Sequence, residues 1–488
     1  MSFPMIIQGG MGVGVSNWTL ARAVSRQGQL GVVSGTLLPV VLARRLQQGD
    51  PEGHVRRALA RFPVAAVAQR ILADWFIPDG KAGEKPFKTV EMPSLAASPA
   101  LTELTVAANF TEVFLAKEGH AGLVGINLLE KIQLPTLASL FGAMLAGVDY
   151  VLMGAGIPRS IPGILDQFAR GEPAELKIDV TDAAATTEAV VRFDPAVFCA
   201  GVIPALRRPR FLAIVSSATL ATTLARKSTG RVDGFIVEGE SAGGHNAPPR
   251  GPMQLTASGE PVYGPRDTPD LEKIRALGLP FWLAGSHATP GQLSAALAQG
   301  AAGVQVGTAF AFCEESGIEP SLKSDVLALS REHRARIHTD PLASPTGFPF
   351  KVLQHPDTLS NPERYAGRPR LCDLGYLREA FAKPDGSLGY RCGGEPVGNF
   401  IRKGGAAEAT VGRMCLCNGL LATVGLGQTH ASGFEEPPLI TAGNDVSHLS
   451  RYAPPDAATY SAADVLRVLL APAGAPAQNV FESVTDPK

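Results

Sequence analysis

The sequence has few cysteines, little charge imbalance and no long apolar run. Six cysteines in 488 residues are too sparse for a disulfide framework, which favours the cytoplasm. The segment Met1-Ser2-Phe3-Pro4 lacks the basic and apolar regions of a secretion signal. Apolar runs are broken by Gly, Pro or charge before the ~18 residues of a membrane span. A net charge of -1 gives no general reason to bind nucleic acid or an anionic membrane.

What the sequence does contain is an alternation of short apolar runs with longer amphipathic stretches up to about residue 312. Near-continuous apolar runs are typical of parallel strands buried on both faces. Eight such runs, most followed by a helical pattern, predict a closed (β/α)8 TIM barrel rather than an open sheet. The runs are Met5–Gln8, Leu30–Val33, Leu123–Ile126, Tyr150–Met153, Phe211–Val215, Gly234–Val237, Phe281–Ala284 and Val304–Val306.

The predicted organisation has three parts. Residues 1–315 form the barrel, with insertions at about 52–118 and 174–194, the second of which looks like a hairpin. Beyond residue 315 the alternation stops, and Pro- and Gly-rich loops separate weak helical patterns. We therefore expect residues 316–470 to form an irregular, mainly helical accessory region, followed by a disordered tail at 471–488 that is rich in Ala and Pro.

The chemistry of a barrel is expected at the C-terminal ends of its strands. The first strand ends in a Gly-rich turn, Gln8 to Gly14, whose backbone can approach a flat ligand closely because glycine has no Cβ. The third strand ends in Asn127, a carboxamide with both a donor and an acceptor. Each feature alone is also compatible with an ordinary turn.

The seventh and eighth strands end in Gly285-Ser286-His287 and Gly307-Thr308. Barrels often bind phosphate at these two loops through backbone N–H groups. Neither loop carries Lys or Arg, so backbone dipoles and the Ser and Thr hydroxyls would have to hold the phosphate.

The sixth strand ends in Glu238-Gly239-Glu240-Ser241-Ala242-Gly243-Gly244-His245. A lone histidine is often structural, but His245 lies at a strand end behind two glycines that leave open space beside it. It also titrates near neutral pH. We therefore predict a catalytic role for His245.

In combination and in order, these pieces resemble the nitronate monooxygenases (formerly 2-nitropropane dioxygenases), a family that includes the related flavin-dependent enoyl-acyl-carrier-protein reductases. The matching pieces span about residues 4–312 and are Pro4–Met11, Gly125–Asn127, Gly154–Pro158, Glu238–His245, Ala284-Gly285 and Val304–Thr308.

The resemblance implies FMN across the barrel mouth, with His245 facing the flavin and the substrate. The cofactor-binding residues that it implies are Gln8, Gly9, Gly10, Met11, Asn127, Glu238, Gly244, Gly285, Ser286, Gly307 and Thr308. The chain departs from the family at Ser286-His287, where Gly-Ile is usual, and in a long Pro-rich stretch after His245. We interpret that stretch, Asn246 to Pro265, as a lid over the substrate pocket.

Four of the six cysteines fall within one short stretch. Cys372, Cys392, Cys415 and Cys417 could close a zinc site or hold an iron–sulfur cluster. Their spacing matches no standard metal-binding motif, and buried unligated thiols are the alternative. We predict one metal centre, with iron–sulfur favoured over zinc because a neighbouring flavin could exchange single electrons with a cluster.

The predicted function is an FMN-dependent oxidoreductase of nitronate monooxygenase type that oxidises a small carbanion-like substrate. The alternative is an NAD(P)H-dependent enoyl-thioester reductase, which would act on an acyl carrier protein beside a polyketide or polyunsaturated fatty acid synthase. An alternative of another class is a flavin- or metal-binding subunit without turnover. A further candidate partner is a second copy of the chain, in a homodimer.

Overall fold

Eight parallel strands form a barrel, as the sequence predicts. The computed structural model describes residues 3–182, 189–454 and 457–472, so residues 473–488 of the predicted tail lie outside the described residues. The strands up to residue 306 are β1 Ile6–Gln8, β2 Gly31–Ser34, β3 Val124–Leu129, β4 Tyr150–Gly154, β5 Ala174–Lys177, β6 Val180–Thr181, β7 Val190–Phe193, β8 Arg210–Val215, β9 Gly234–Glu238, β10 Phe281–Ala284 and β11 Gly303–Val306.

The barrel strands follow the order β1-β11-β10-β9-β8-β4-β3-β2. A parallel bridge between Ile7 and Leu30 joins β1 to β2 and closes the ring. Alternate strand residues fill the interior, where Trp282 is fully buried and its Nε1–H donates to the Pro4 carbonyl at 2.8 Å. A packed interior leaves the strand ends as the place for a ligand.

Helices surround the strands and extend into the C-terminal region. Their bounds are α1 Trp18–Arg26, α2 Leu38–Gln47, α3 His54–Leu59, α4 Ala65–Trp75, α5 Pro99–Lys117, α6 Thr136–Leu145, α7 Ile161–Ala169, α8 Pro195–Phe198, α9 Ala218–Lys227, α10 Leu271–Arg275, α11 Pro290–Ala298, α12 Thr308–Ala311, α13 Pro320–Arg331, α14 Pro362–Gly367, α15 Val397–Arg402, α16 Leu416–Ala422 and α17 Ala462–Leu469. Short 3₁₀ segments lie at Pro265–Asp267, Ala407–Thr410 and Asn444–Tyr452. No helix in the described part of the chain has the length and apolarity of a bilayer span.

The two stretches interpreted as insertions hold regular structure of their own. Helices α3, α4 and α5 lie within 52–118, and the 19-residue α5 is largely buried. Strands β5 and β7 pair antiparallel within 174–194, as the predicted hairpin requires.

The C-terminal region contains helices and also two β-hairpins that the sequence analysis missed. Strand β12 (Ile337–Asp340) pairs with β13 (Phe350–Leu353), and β14 (Glu379–Ala382) pairs with β15 (Leu388–Arg391). Each strand has only four residues, too few for a clear period-two pattern. Strand β14 also pairs with β6, about 200 residues earlier in the chain, a contact that no local pattern could reveal.

Candidate functional site

A cavity opens at the C-terminal ends of the barrel strands and encloses about 1230 Å³, including its open mouth. His245 lines the cavity together with these predicted cofactor-binding residues: Gly9, Gly10, Met11, Asn127, Glu238, Gly244, Gly285, Ser286, Gly307 and Thr308. The structure thus brings together residues from five strand ends and from the segment after β9.

Gln8 is the one predicted cofactor residue that does not line this cavity. Its side chain is fully buried, its Oε1 accepts from Val32 N–H at 2.9 Å, and its Nε2 donates to Ser16 Oγ at 2.9 Å. Ser16 Oγ in turn accepts from Met11 N–H at 2.9 Å. Gln8 therefore stabilises the Gly-rich turn from the protein interior, because its hydrogen bonds are made to the protein itself.

The Gly-rich turn packs closely against Asn127. A Cβ on Gly10 would lie 2.3 Å from Asn127 Cβ, so only glycine fits there. The Asn127 amide donates to the Gly10 carbonyl at 3.4 Å, whereas its buried Oδ1 has no hydrogen-bond partner. One end of this carboxamide is therefore anchored and the other is free to bind a ligand.

Two further buried polar atoms on cavity residues lack partners. They are Gln305 Oε1 on β11 and His287 Nδ1 after β10. Buried polar atoms are normally hydrogen-bonded, so three unpaired ones around one cavity favour a polar ligand. Gln305 lines the cavity but was not among the predicted site residues, although a Gln in the buried run Val304–Val306 was a usable signal.

The two loops predicted to hold phosphate lie against a segment of the C-terminal region. Gly285 has φ +92°, and a Cβ there would lie 3.0 Å from Ala242 N. Thr308 Oγ1 accepts from Gly443 N–H at 2.8 Å, which leaves its own proton free to be donated. No Lys or Arg is among the described residues that line this cavity.

An acidic residue, Asp445, also reaches this end of the cavity. Burial raises the pKa of Asp445, while a hydrogen bond from Ser286 and the positive charge of Arg451 oppose that rise. Burial lowers the pKa of His287, and the nearby Asp445 partly offsets this. The loops thus offer hydroxyl and backbone donors to a phosphate, with Asp445 as a competing acceptor.

His245 lies where the cavity meets a second one. Its Nε2 is 2.7 Å from Ser344 Oγ, and its ring packs edge-on against Phe350 with 4.8 Å between ring centroids. Burial lowers the pKa of His245 to about 4. The imidazole is therefore neutral near pH 7 and is a weaker base than a free imidazole.

Glu238 ends β9 and lines both cavities, as His245 does. Burial raises the pKa of Glu238 to about 7. The two groups are thus shifted in opposite senses, a pattern that often separates the acid and base roles of an active site.

The second cavity lies beneath the predicted lid and encloses about 930 Å³, including its mouth. Tyr263 O–H donates to the Ala247 carbonyl at 3.1 Å, and Arg250 N–H donates to Asp267 Oδ1 at 2.8 Å. These bonds fold the segment back on itself, so it forms a wall of the second cavity.

The four clustered cysteines, Cys372, Cys392, Cys415 and Cys417, line one small apolar cavity in the C-terminal region. All four are free thiols. Among the described residues, no group of three or more His, Cys, Asp or Glu side chains is arranged to hold a metal ion.

Comparisons with known proteins find the same family that the sequence motifs resemble. The match to the nitronate monooxygenase family covers residues 167–339. The chain is 28% identical over 241 residues to a nitronate monooxygenase of Paraburkholderia phytofirmans, covering 49% of this chain and 61% of that relative. The chain thus spans about three fifths of the length of this curated relative.

The chain is also similar to solved structures. A nitroalkane oxidase from Streptomyces ansochromogenes has 16% identity and a TM-score of 0.46, with 96% of this chain and 94% of that chain covered. FabK from Thermotoga maritima has 18% identity and a TM-score of 0.39, with 73% and 72% covered. Residues 167–339 match the nitronate monooxygenase family, and the resemblance to that family predicted from the motifs is confirmed.

Proposed function

We propose that this protein is an FMN-dependent oxidoreductase of nitronate monooxygenase type that oxidises a small carbanion-like substrate. One observation carries the proposal. A cavity at the barrel mouth, with three unpaired buried polar atoms, meets a second cavity at two titratable residues, His245 and Glu238. Such an arrangement suits a flavin in the first cavity and a substrate in the second.

The residues present fit FMN. Asn127 Oδ1 and Gln305 Oε1 can accept hydrogen bonds from the polar edge of an isoalloxazine, and the Gly-rich turn lines the same cavity. The loops at Gly285 and Gly307 would hold the single terminal phosphate. When bound, FMN would supply the electron acceptor for the substrate.

His245 and Glu238 would handle protons and charge at the junction of the cavities. The neutral imidazole, whose Nε2 is held by Ser344, would donate or accept a proton beside the flavin, because an anionic substrate has already lost its acidic proton. Glu238 in its protonated form adds no charge to the path of an anionic substrate, whereas its carboxylate would repel such a substrate.

An enoyl-thioester reductase is the second candidate, and the second cavity favours it. Its wall includes the apolar side chains of Ile157, Leu220 and Phe348 beside Arg250, and Ile157 is 54% exposed. An apolar wall beside one cation could take an acyl chain and the phosphate of its carrier.

Two assays on the flavin-loaded protein distinguish these functions. Oxygen uptake with the anion of nitroethane, without NADPH, is the expected result. NADPH oxidation that depends on crotonyl thioester, without nitronate turnover, would instead establish the reductase. Activity in neither assay would favour a subunit without turnover.

The raised pKa of Glu238 gives a pH prediction. Below about pH 7 its side chain is neutral, and above that pH it becomes a carboxylate. We expect kcat/KM for the nitroethane anion to fall about ten-fold from pH 6 to pH 8, as one titrating group requires. Glu238→Gln should abolish this fall, and the measurement is a pH profile of initial rates.

The control is Glu272→Gln, which removes an exposed carboxylate on α10 whose side chain is 84% exposed. This variant should keep the wild-type profile. Dividing each variant's rate by the wild-type rate at the same pH removes the titration of the substrate. A Glu238→Gln profile that still falls in parallel with the wild type would assign the pH dependence to another group.

A further inference from the structure

The segment that carries His245 runs beside a hairpin of the C-terminal region. His245 forms an antiparallel bridge with Phe350 on β13, and Lys351 N–H donates to the Gly244 carbonyl at 3.0 Å. Strand β13 in turn pairs with β12 along its whole length. The histidine at the end of a barrel strand is therefore held against an element that lies outside the barrel.

The loop between β12 and β13 places a hydroxyl group against this imidazole. Ser344 is fully buried, and its Oγ lies 2.7 Å from His245 Nε2, although the two residues are 99 positions apart in the chain. Ser344 Oγ also lies 2.8 Å from Thr346 Oγ1 and accepts from Thr346 N–H at 3.2 Å. The position of the hydroxyl is therefore set by its own loop as well as by the histidine.

The backbone that leads to Ser344 is also held in place. Arg413 Nη1 donates to the Leu342 carbonyl at 2.7 Å and to the Ser344 carbonyl at 2.5 Å. Asp340 Oδ1 accepts from Ala343 N–H at 3.0 Å. An active-site group is held precisely when the residues that support it are themselves locked by packing and hydrogen bonds. The loop around Ser344 meets that condition.

The bond to Ser344 distinguishes the two ring nitrogens of His245. Nε2 is paired with the serine, and no residue in the described part of the chain hydrogen-bonds to Nδ1. The histidine lines both cavities, whereas Ser344 is not among the residues that line either of them. The hydrogen bond at one ring nitrogen orients an imidazole and leaves the other nitrogen for chemistry. Nδ1 is therefore the nitrogen left for a ligand in the cavities.

We propose that Ser344 is a positioning residue for His245. It holds Nε2 and thereby directs Nδ1 toward the reacting groups, without contacting substrate or cofactor itself. This role rests on the proposed function, in which His245 is the acid–base group. It extends the catalytic machinery beyond the barrel, because the residue that orients the histidine comes from the C-terminal region.

Steady-state kinetics of Ser344→Ala in the flavin-loaded protein test the proposal. We expect kcat for the nitroethane anion to fall about 10–100-fold, because a displaced catalytic group slows the reaction. KM should change little, since the residues that line the substrate cavity stay intact. A wild-type kcat in this variant would overturn the proposal.

Two further variants control for folding. Ser330→Ala removes an equally buried hydroxyl on α13, whose Oγ accepts from Leu449 N–H at 2.9 Å. This variant should keep the wild-type kcat and KM. Ser344→Cys keeps a weak S–H donor of similar size, so it should lose less activity than Ser344→Ala. If Ser344→Ala does not fold, a wild-type kcat in Ser344→Cys would overturn the proposal in its place.

A double-mutant cycle separates positioning from a general structural effect. If Ser344 acts only through His245, the double variant His245→Ala/Ser344→Ala should be no slower than His245→Ala, within about two-fold. A structural defect would instead add to the loss of the histidine. A further loss of about 10-fold or more in the double variant would therefore contradict the proposal.

A measurement without turnover distinguishes this proposal from the proposed function. Nuclear magnetic resonance of protein with isotope-labelled histidine reports the two ring nitrogens of His245, assigned by the loss of their signals in His245→Ala. We expect Ser344→Ala to shift these signals and Ser330→Ala to leave them unchanged. Unchanged signals in Ser344→Ala would refute the hydrogen bond. Shifted signals in a protein that turns over neither substrate would refute the proposed function and retain the contact.

Discussion

Replacing His245 with alanine is expected to lower turnover about 10²–10⁴-fold, the usual cost of removing a positioned acid–base group. The imidazole lies between the two cavities, and its Nε2 is 2.7 Å from Ser344 Oγ. The variant should retain its fold and its flavin, because the substitution removes no backbone donor from the phosphate loops. Steady-state rates and the flavin absorbance of the same samples measure both quantities.

His287→Ala is the matched control, since it removes the other imidazole of the same cavity. In the wild type, the unpaired Nδ1 of His287 favours contact with the cofactor rather than with the substrate. We expect the His287→Ala variant to bind flavin more weakly. The molecules of this variant that retain flavin should turn over at nearly the normal rate. A His245→Ala enzyme with full activity would show that the histidine is a bystander, and one that unfolds would show that it is structural.

Gly307→Asp is expected to remove most of the bound flavin. At an effective dielectric constant of 20, two unit charges about 4 Å apart repel by about 4 kcal/mol, which corresponds to roughly a thousand-fold in affinity. A side chain at this position also meets Met11, because a Cβ would lie 3.2 Å from Met11 Sδ. Flavin titration of the apoprotein, followed by fluorescence, gives the dissociation constant.

Gly291→Asp provides the same substitution away from the cavity. Gly291 lies at the start of α11, and a Cβ there meets nothing within 4 Å. That variant should bind flavin as the wild type does. If Gly307→Asp also binds with unchanged affinity, the phosphate does not lie at this loop.

The barrel was predictable because its strands are buried on both faces. Eight apolar runs correspond to the eight strands of the barrel. The hairpins of the C-terminal region were missed, because their four-residue strands are stabilised by distant partners such as β6. A local sequence pattern can therefore reveal a strand that is buried on both faces, but not a short strand whose partner is distant in the sequence.

The candidate site shows the same division. Residues at strand ends could be identified because a barrel collects them at one mouth, and they do line one cavity. Gln8 was placed in the cofactor set, although its side chain is bonded to Val32 and Ser16. Asp445 and Gly443 were not foreseen, because they reach the cavity from a region more than 130 residues beyond the last barrel strand.

If the barrel mouth binds FMN, as we propose, FMN is the flavin that the denatured protein must release. The protein should be purified, saturated with a mixture of FMN and FAD, desalted and denatured, and the supernatant separated by chromatography. We predict FMN at close to one equivalent per chain and little FAD, because the two loops suit one terminal phosphate. Bound FAD, or a protein that retains neither flavin, would contradict the account.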